Sequence, residues 1–161
     1  MSRIYTVVFQ GTVTAAGTDT DWLELSPADD KPVKLRGLKI GQLSEVGDAA
    51  EEGLRFSIIR LPATVTSGSG GSAPTPQKID SSDSAAAFTA EVNNTTVATT
   101  SGTAETIEEF AWNIRNSPYE TWWPDPEFAP KAKQGEALVV RMQTTLGDDI
   151  TACMTAYVEE E

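Results

Sequence analysis

Residues 3–13 read Arg3-Ile4-Tyr5-Thr6-Val7-Val8-Phe9-Gln10-Gly11-Thr12-Val13, and the spacing of their side chains decides the class of the fold. Tyr5, Val7, Phe9 and Val13 fall on one side of an extended chain, and Ile4, Thr6, Val8 and Gln10 fall on the other. That is the period-two pattern of a long, half-buried strand. The same alternation returns at 106–114, where Thr106, Glu108, Phe110, Trp112 and Ile114 oppose Ile107, Glu109, Ala111 and Asn113. It returns again at 136–145 and 150–159, joined by Leu146-Gly147-Asp148-Asp149, whose turn residues predict a hairpin.

Between these anchors the chain stays extended. Asp21-Trp22-Leu23-Glu24-Leu25 is a short apolar strand, and Ser26-Pro27-Ala28-Asp29-Asp30-Lys31-Pro32 is a turn by its two prolines and paired Asp. Residues 33–43 resume a strand, in which Gly37 and Gly41 predict a bulge or a close backbone approach. In 54–61, Leu54, Phe56 and Ile58 lie on one face and Ile59 and Leu61 on the other, so both faces are expected to be buried. Residues 95–103 read as a strand or an edge, 119–123 as a further strand, and 48–52 and 84–88 as single helical turns. About eight strands of useful length with little helix make an all-β chain. The expected architecture is one domain over 1–161, a jelly-roll-like antiparallel β-sandwich, with a different Greek-key sandwich as the alternative.

One segment breaks the pattern. Residues 62–80 contain Gly68-Ser69-Gly70-Gly71-Ser72-Ala73-Pro74-Thr75-Pro76, which has no apolar periodicity and cannot build a core. A loop of this length inside a compact domain points to a partner-contacting excursion. Gly68, Gly70, Gly71, Pro74 and Pro76 are therefore candidate interaction residues on an arm expected to be flexible alone and ordered against a neighbour. The two prolines pre-set an extended path and lower the entropy lost on docking.

Composition removes most chemistry. The chain has no histidine, which excludes His-based triads, His general bases and imidazole metal sites. Twelve Lys and Arg against twenty-four Asp and Glu give a net charge of -12, the wrong sign for gripping nucleic-acid phosphates. Residues 1–60 carry 7 basic and 9 acidic groups and 61–161 carry 5 and 15, so the later part is expected to supply the exposed surface and the earlier part the partner contacts. Cys153 is the single cysteine, so no intrachain disulfide forms, and its apolar strand setting favours a packed thiol over a nucleophile. No signal-peptide pattern follows Met1, and no apolar run reaches the ~18 residues of a membrane span. A soluble protein without membrane contact is expected.

The carboxylates offer two uses. A glycoside hydrolase needs two of them across one cleft, but neighbours such as Glu108 and Glu109 point to opposite faces of a strand. Calcium accepts acidic loops at flexible geometry. No segment matches a twelve-residue EF-hand loop, so no cofactor is expected, with calcium the one ion the loops could hold. Gly68-Ser69-Gly70-Gly71 lacks the Lys-Ser of a phosphate-binding loop. Tyr119, Trp122 and Trp123 could stack on a pyranose, yet Trp122 and Trp123 must face opposite sides, so one at most joins Tyr119 while the other packs inward. Packing, within the fold or at a subunit contact, is the favoured role for all three.

The strings 26–33, 41–52 and 68–76, together with Trp122-Trp123-Pro124, resemble a family of small structural proteins of tailed bacteriophages and prophages. That resemblance covers most of the chain and carries no catalytic residues. It implies a non-enzymatic virion component, a head decoration or cement protein in the favoured case, made in the host cytoplasm and seated on the outer particle surface against a major capsid or other virion protein. Tail and host-surface roles stay open. The apolar faces of 54–61 and the Tyr-Trp-Trp segment exceed what one small sandwich buries, so self-association is expected, with a trimer favoured. A carbohydrate-binding module and a carboxylate hydrolase are the competing classes.

Overall fold

The computed structural model describes residues 2–15, 17–44 and 52–161. Thirteen strands form: β1 Arg3–Val13, β2 Thr20–Ser26, β3 Val33–Gln42, β4 Gly53–Leu61, β5 Val65–Thr66, β6 Gln77–Lys78, β7 Thr89–Glu91, β8 Thr99–Thr100, β9 Glu105–Asn113, β10 Tyr119–Trp122, β11 Lys131–Ala132, β12 Ala137–Met142 and β13 Ile150–Glu160. No helix occurs among the described residues, and none there is long and apolar enough to cross a membrane. The count exceeds the expected eight because β5, β6, β7, β8 and β11 are only two or three residues long.

All pairings are antiparallel and fall into three sheets. The β1 sheet has the order β10-β3-β13-β1-β6, with β11 also paired to β3. The β2 sheet has the order β7-β2-β12-β4-β9, and β5 and β8 make a separate ribbon. One apolar core joins the two large sheets. Tyr5, Val7, Phe9 and Val13 of β1 enter it as their spacing requires, and meet Trp22, Leu54, Phe56, Ile58 and Val140 from the β2 sheet. Burying each such side chain stabilises the fold by roughly 1.5–3 kcal/mol. A row of rings crosses this core: Trp22 meets Phe56 edge-on at 5.0 Å, Phe56 stacks on Phe110 at 5.2 Å, and Phe110 stacks on Tyr119 at 4.1 Å.

Both faces of β4 are buried, as its sequence requires. Its second face belongs to another cluster, in which Ile59 and Leu61 pack with Ala98, Ala137, Val139 and the half-buried Val65. The chain's own residues cover this face, so it supplies no surplus apolar surface for self-association. The bulge expected beside Gly37 is also present. Tyr157 pairs with Gly37 and Val158 with Leu35, which leaves Arg36 as the extra residue on β3.

Three expectations change. The 136–145 and 150–159 strands do not form a hairpin: β12 pairs with β2 and β4 in one sheet, while β13 pairs with β1 and β3 in the other. Turn residues signal a chain reversal only, and here 146–149 carry the chain from sheet to sheet. Residues 84–88 are not helical. Phe88 is sunk in the core, and the N–H groups of Ala87 and Phe88 donate to the Glu160 carboxylate, a partner 73 and 72 residues away that outweighs local alanine propensity. The strand expected within 95–103 is reduced to Thr99–Thr100. Of the helical turn expected at 48–52, residues 48–51 lie outside the described residues.

Candidate interaction surface

The Gly-Ser-Pro segment is a strap fastened to its own chain. It leaves the second cluster as β5, paired with β8, and continues through backbone exchange between Ser69 and Thr96 at 2.9 Å each way and between Ser72 and Val92 at 2.8–3.0 Å. It then crosses to the edge of the β1 sheet, where β6 pairs with Tyr5 and Thr6. The glycines permit this closeness. A Cβ at Gly68 would lie 2.6 Å from the Thr96 carbonyl oxygen, one at Gly71 would strike the Val92 carbonyl oxygen, and Gly70 has a φ of 91°. Pro74 and Pro76 are half-buried while Ala73, Thr75 and Gln77 stay exposed.

Acidic side chains hold the strap down. The buried Glu24 carboxylate accepts from Ser67 Oγ at 2.6 Å, Gly68 N at 2.9 Å and Asn94 Nδ2 at 3.4 Å. Asp21, fully buried, accepts from Arg141 Nε at 2.6 Å and from Ala98 N at 2.7 Å, which ties β2, β12 and the 92–100 segment together. A depression of about 790 Å³ lies between the start of the strap and the turn at 133–136, and Glu24 lines it. With three donors already on that carboxylate, its role there is to hold the strap.

Tyr119, Trp122 and Trp123 separate as strand alternation requires. Tyr119 stacks on Phe110, where burial pushes its phenol pKa up, and Trp123 packs against the main core. Trp122 faces out and is 44% exposed. Its ring lies over Gly37, where a Cβ would sit 2.5 Å from the indole, and its indole N–H donates to Glu120 Oε1 at 2.5 Å. That hydrogen bond, with help from Lys39, holds the Glu120 carboxyl below the usual range. The ring partner of Trp122 is Tyr157, 4.7 Å away, with Lys39 Nζ 5.4 Å from the indole centroid. Tyr119 therefore forms no stacking platform with either tryptophan.

Beside Trp122 runs a groove of about 580 Å³ on the outer face of the β1 sheet, lined chiefly by Ile4, Ile79, Trp122, Trp123, Pro124 and Tyr157. Arg36, the bulge residue, fixes one wall. It donates to the carbonyl oxygens of Trp123 at 2.9 Å and Pro124 at 2.6 Å and forms an ion pair with Glu159. Ile79 and Val8 stand 57% and 52% exposed on this side. Cys153 sits half-buried on the same face, its Sγ 3.4 Å from where a Gly41 Cβ would be, rather than in the core.

Tyr157, Lys39 and Arg36 escape sequence reasoning. Only Gly37, a close approach by its place in the strand, points toward them, because the residues that meet on this face come from β3, β10 and β13. Among the described residues, no group of three or more Asp, Glu or Cys is placed to hold a metal ion. The carboxylate pairs are dispersed, with Glu109 exposed and bound to Arg55, and Glu105 bound to Arg60. The chain matches no family model, no curated protein and no solved structure.

Proposed function

We propose that this chain is a non-enzymatic structural protein of a tailed-phage type particle, mounted as an oligomer on the outer face of the shell. Strand order is the observation that carries the reading. The eight strands of four residues or more divide as β1-β13-β3-β10 and β2-β12-β4-β9. Following the chain, it visits the two sheets in the sequence first, second, first, second, second, first, second, first. That order is the one expected of an eight-stranded jelly roll built from two Greek keys, an architecture used by viral capsid and lectin domains, and it supports the reading. Fold alone does not dictate function, and the resemblance of 26–33, 41–52, 68–76 and 122–124 to phage structural proteins supplies the direction. The charge of -12 suits a surface turned away from packaged DNA.

The decisive experiment is to purify particles from a host that produces this protein and measure its copy number and its accessibility to protease on intact particles. A stoichiometric, accessible protein is expected. Its absence from particles rejects the proposal. A second reading, a carbohydrate-binding module, draws on Trp122 and Tyr157 beside an open groove, and a glycan array with wild type and Trp122→Ala tests it.

A further inference from the structure

Resting on the reading that the chain assembles with itself, we propose that the open face of the β1 sheet receives the 124–129 loop of a second copy, with Phe128 as the inserted side chain. Phe128 is 76% exposed, the most exposed large apolar side chain among the described residues. It does not hang on a loose loop. Glu127 N donates to Asp125 Oδ1 at 3.0 Å and Phe128 N to the Asp125 carbonyl at 3.1 Å, while Pro124 and Pro126 restrict the backbone on either side. A ring presented on a pre-ordered turn loses little entropy on docking.

The receiving groove is equally fixed before contact. Trp122 is seated on Gly37 and held by Glu120, and Arg36 clamps the Trp123 and Pro124 carbonyls. Its apolar lining from Ile4, Ile79 and Tyr157 gives a phenyl ring what water does not. Trp, Tyr and Arg are the side chains that most often dominate interface energies.

Charge selects the occupant. The strands of the β1 sheet carry six Lys and Arg against three Glu, whereas those of the β2 sheet carry three against six. Asp125 and Glu127 precede Phe128, so the apolar tip is carried on an acidic turn. Five of the six bases are paired with Asp83, Glu120, Glu159 or Glu161. The exposed Lys78, next to Ile79 of the groove, is the one with no ion pair among the described residues and the one that meets the acidic turn of a second copy. The β2 sheet cannot act as receiver, because its own strap covers its outer cluster. Pro124 lines the groove and also begins the loop, so tip and receptor lie side by side, and copies can exchange tips about a two-fold axis or pass them around a closed ring.

Sedimentation of the purified chain at micromolar concentration, with Phe128→Ala, Ile79→Glu and Trp122→Ala, tests the contact. The wild type is expected to sediment above the 17.2 kDa monomer. Each variant should weaken association about tenfold or more. Mixing Phe128→Ala with Ile79→Glu should restore association beyond either alone, because one copy keeps the groove and the other the tip. Phe128 and Ile79 are exposed, so their variants should keep the wild-type urea midpoint, and these two carry the test if Trp122→Ala unfolds. A monomer at every concentration overturns the contact and leaves the particle reading to co-purification. Loss with Phe128→Ala alone, and none with Ile79→Glu, also overturns it. So does glycan binding that Trp122→Ala abolishes at unchanged mass.

Discussion

The outer faces of the two large sheets are finished in opposite ways. On the β2 sheet, Ile59, Leu61, Ala137 and Val139 point outward and are buried beneath the strap and the 92–100 segment. On the β1 sheet, Val8, Ile79 and Trp122 point outward and stay open. The difference is made by backbone, since covering the β2 sheet takes Gly68 and Gly71 in close contact with carbonyl groups and two buried carboxylates to fasten the cover. A small sandwich can thus complete one face internally and leave the other for contact.

The sharpest break of this contrast is at Arg141. Arg141→Met leaves the buried Asp21 carboxylate without its cation, and should cost about 3–5 kcal/mol in urea unfolding. The comparable change on the open face, Lys39→Met, removes an exposed pair with Glu120 and should cost at most about 1 kcal/mol. Leu61→Ala should lose about 2–5 kcal/mol through transfer and cavity terms, whereas Val8→Ala should stay within about 0.5 kcal/mol. Equal losses at the two positions would abolish the distinction between a covered and an open face.

Two glycines give a finer comparison. Gly71→Ala drives a methyl into the Val92 and Asn93 carbonyl groups, which cannot swing away, and should cost about 1–3 kcal/mol. At Gly37 the obstacle is the Trp122 ring, a partly exposed side chain that can move. Gly37→Ala should therefore lower stability less while shifting Trp122 fluorescence and weakening self-association. The smallest expected effect is on pH. Hydrogen bonds and charge from Lys131 and Lys34 hold the Glu161 carboxyl below its ordinary value of 4.5. Its contribution is therefore present above that value and is lost as pH falls through the lower, folded value. Glu161→Gln should flatten the dependence of the urea midpoint below pH 4.5 and leave the rest of the profile unchanged.

Much of the framework is legible in the sequence because period-two alternation is a local signal. β1 and its four core-facing residues, the break at Ser26–Pro32, the bulge near Gly37 and the double burial of 54–61 all follow from neighbours within a few positions. Features that depend on distant partners are not legible. Phe88 and its Glu160 acceptor lie 72 residues apart in sequence, so 84–88 reads as a helix until the C-terminal strand is in place. The turn at 146–149 says that the chain reverses, and only the competition of β2, β4, β1 and β3 for partners decides that it changes sheets. At the candidate surface, alternation sends Trp122 outward, whereas Trp123, just past the end of β10, both packs against the core and lines the groove. Tyr157 was not found, because pairing of β3 with both β10 and β13 is what brings it to Trp122.

The position of β13 also governs when the fold can form during synthesis. It lies between β1 and β3, with Arg3 opposite Glu160 and Val33 opposite Glu160 on the other side. A ribosome that has released the first hundred residues has made every strand of the β2 sheet except β9 and β12, but neither sheet yet has its central member. β1 emerges first and must wait for residues 150–160, at roughly 5–20 residues per second, before it gains its long partner. During that interval the apolar row Tyr5, Val7 and Phe9 is exposed on a nascent chain, and closure of the β1 sheet becomes a late, concerted event rather than a gradual one. Moving 150–160 to the front of the chain by circular permutation would let the β13–β1 ladder form at once, and should speed refolding without altering the final contacts.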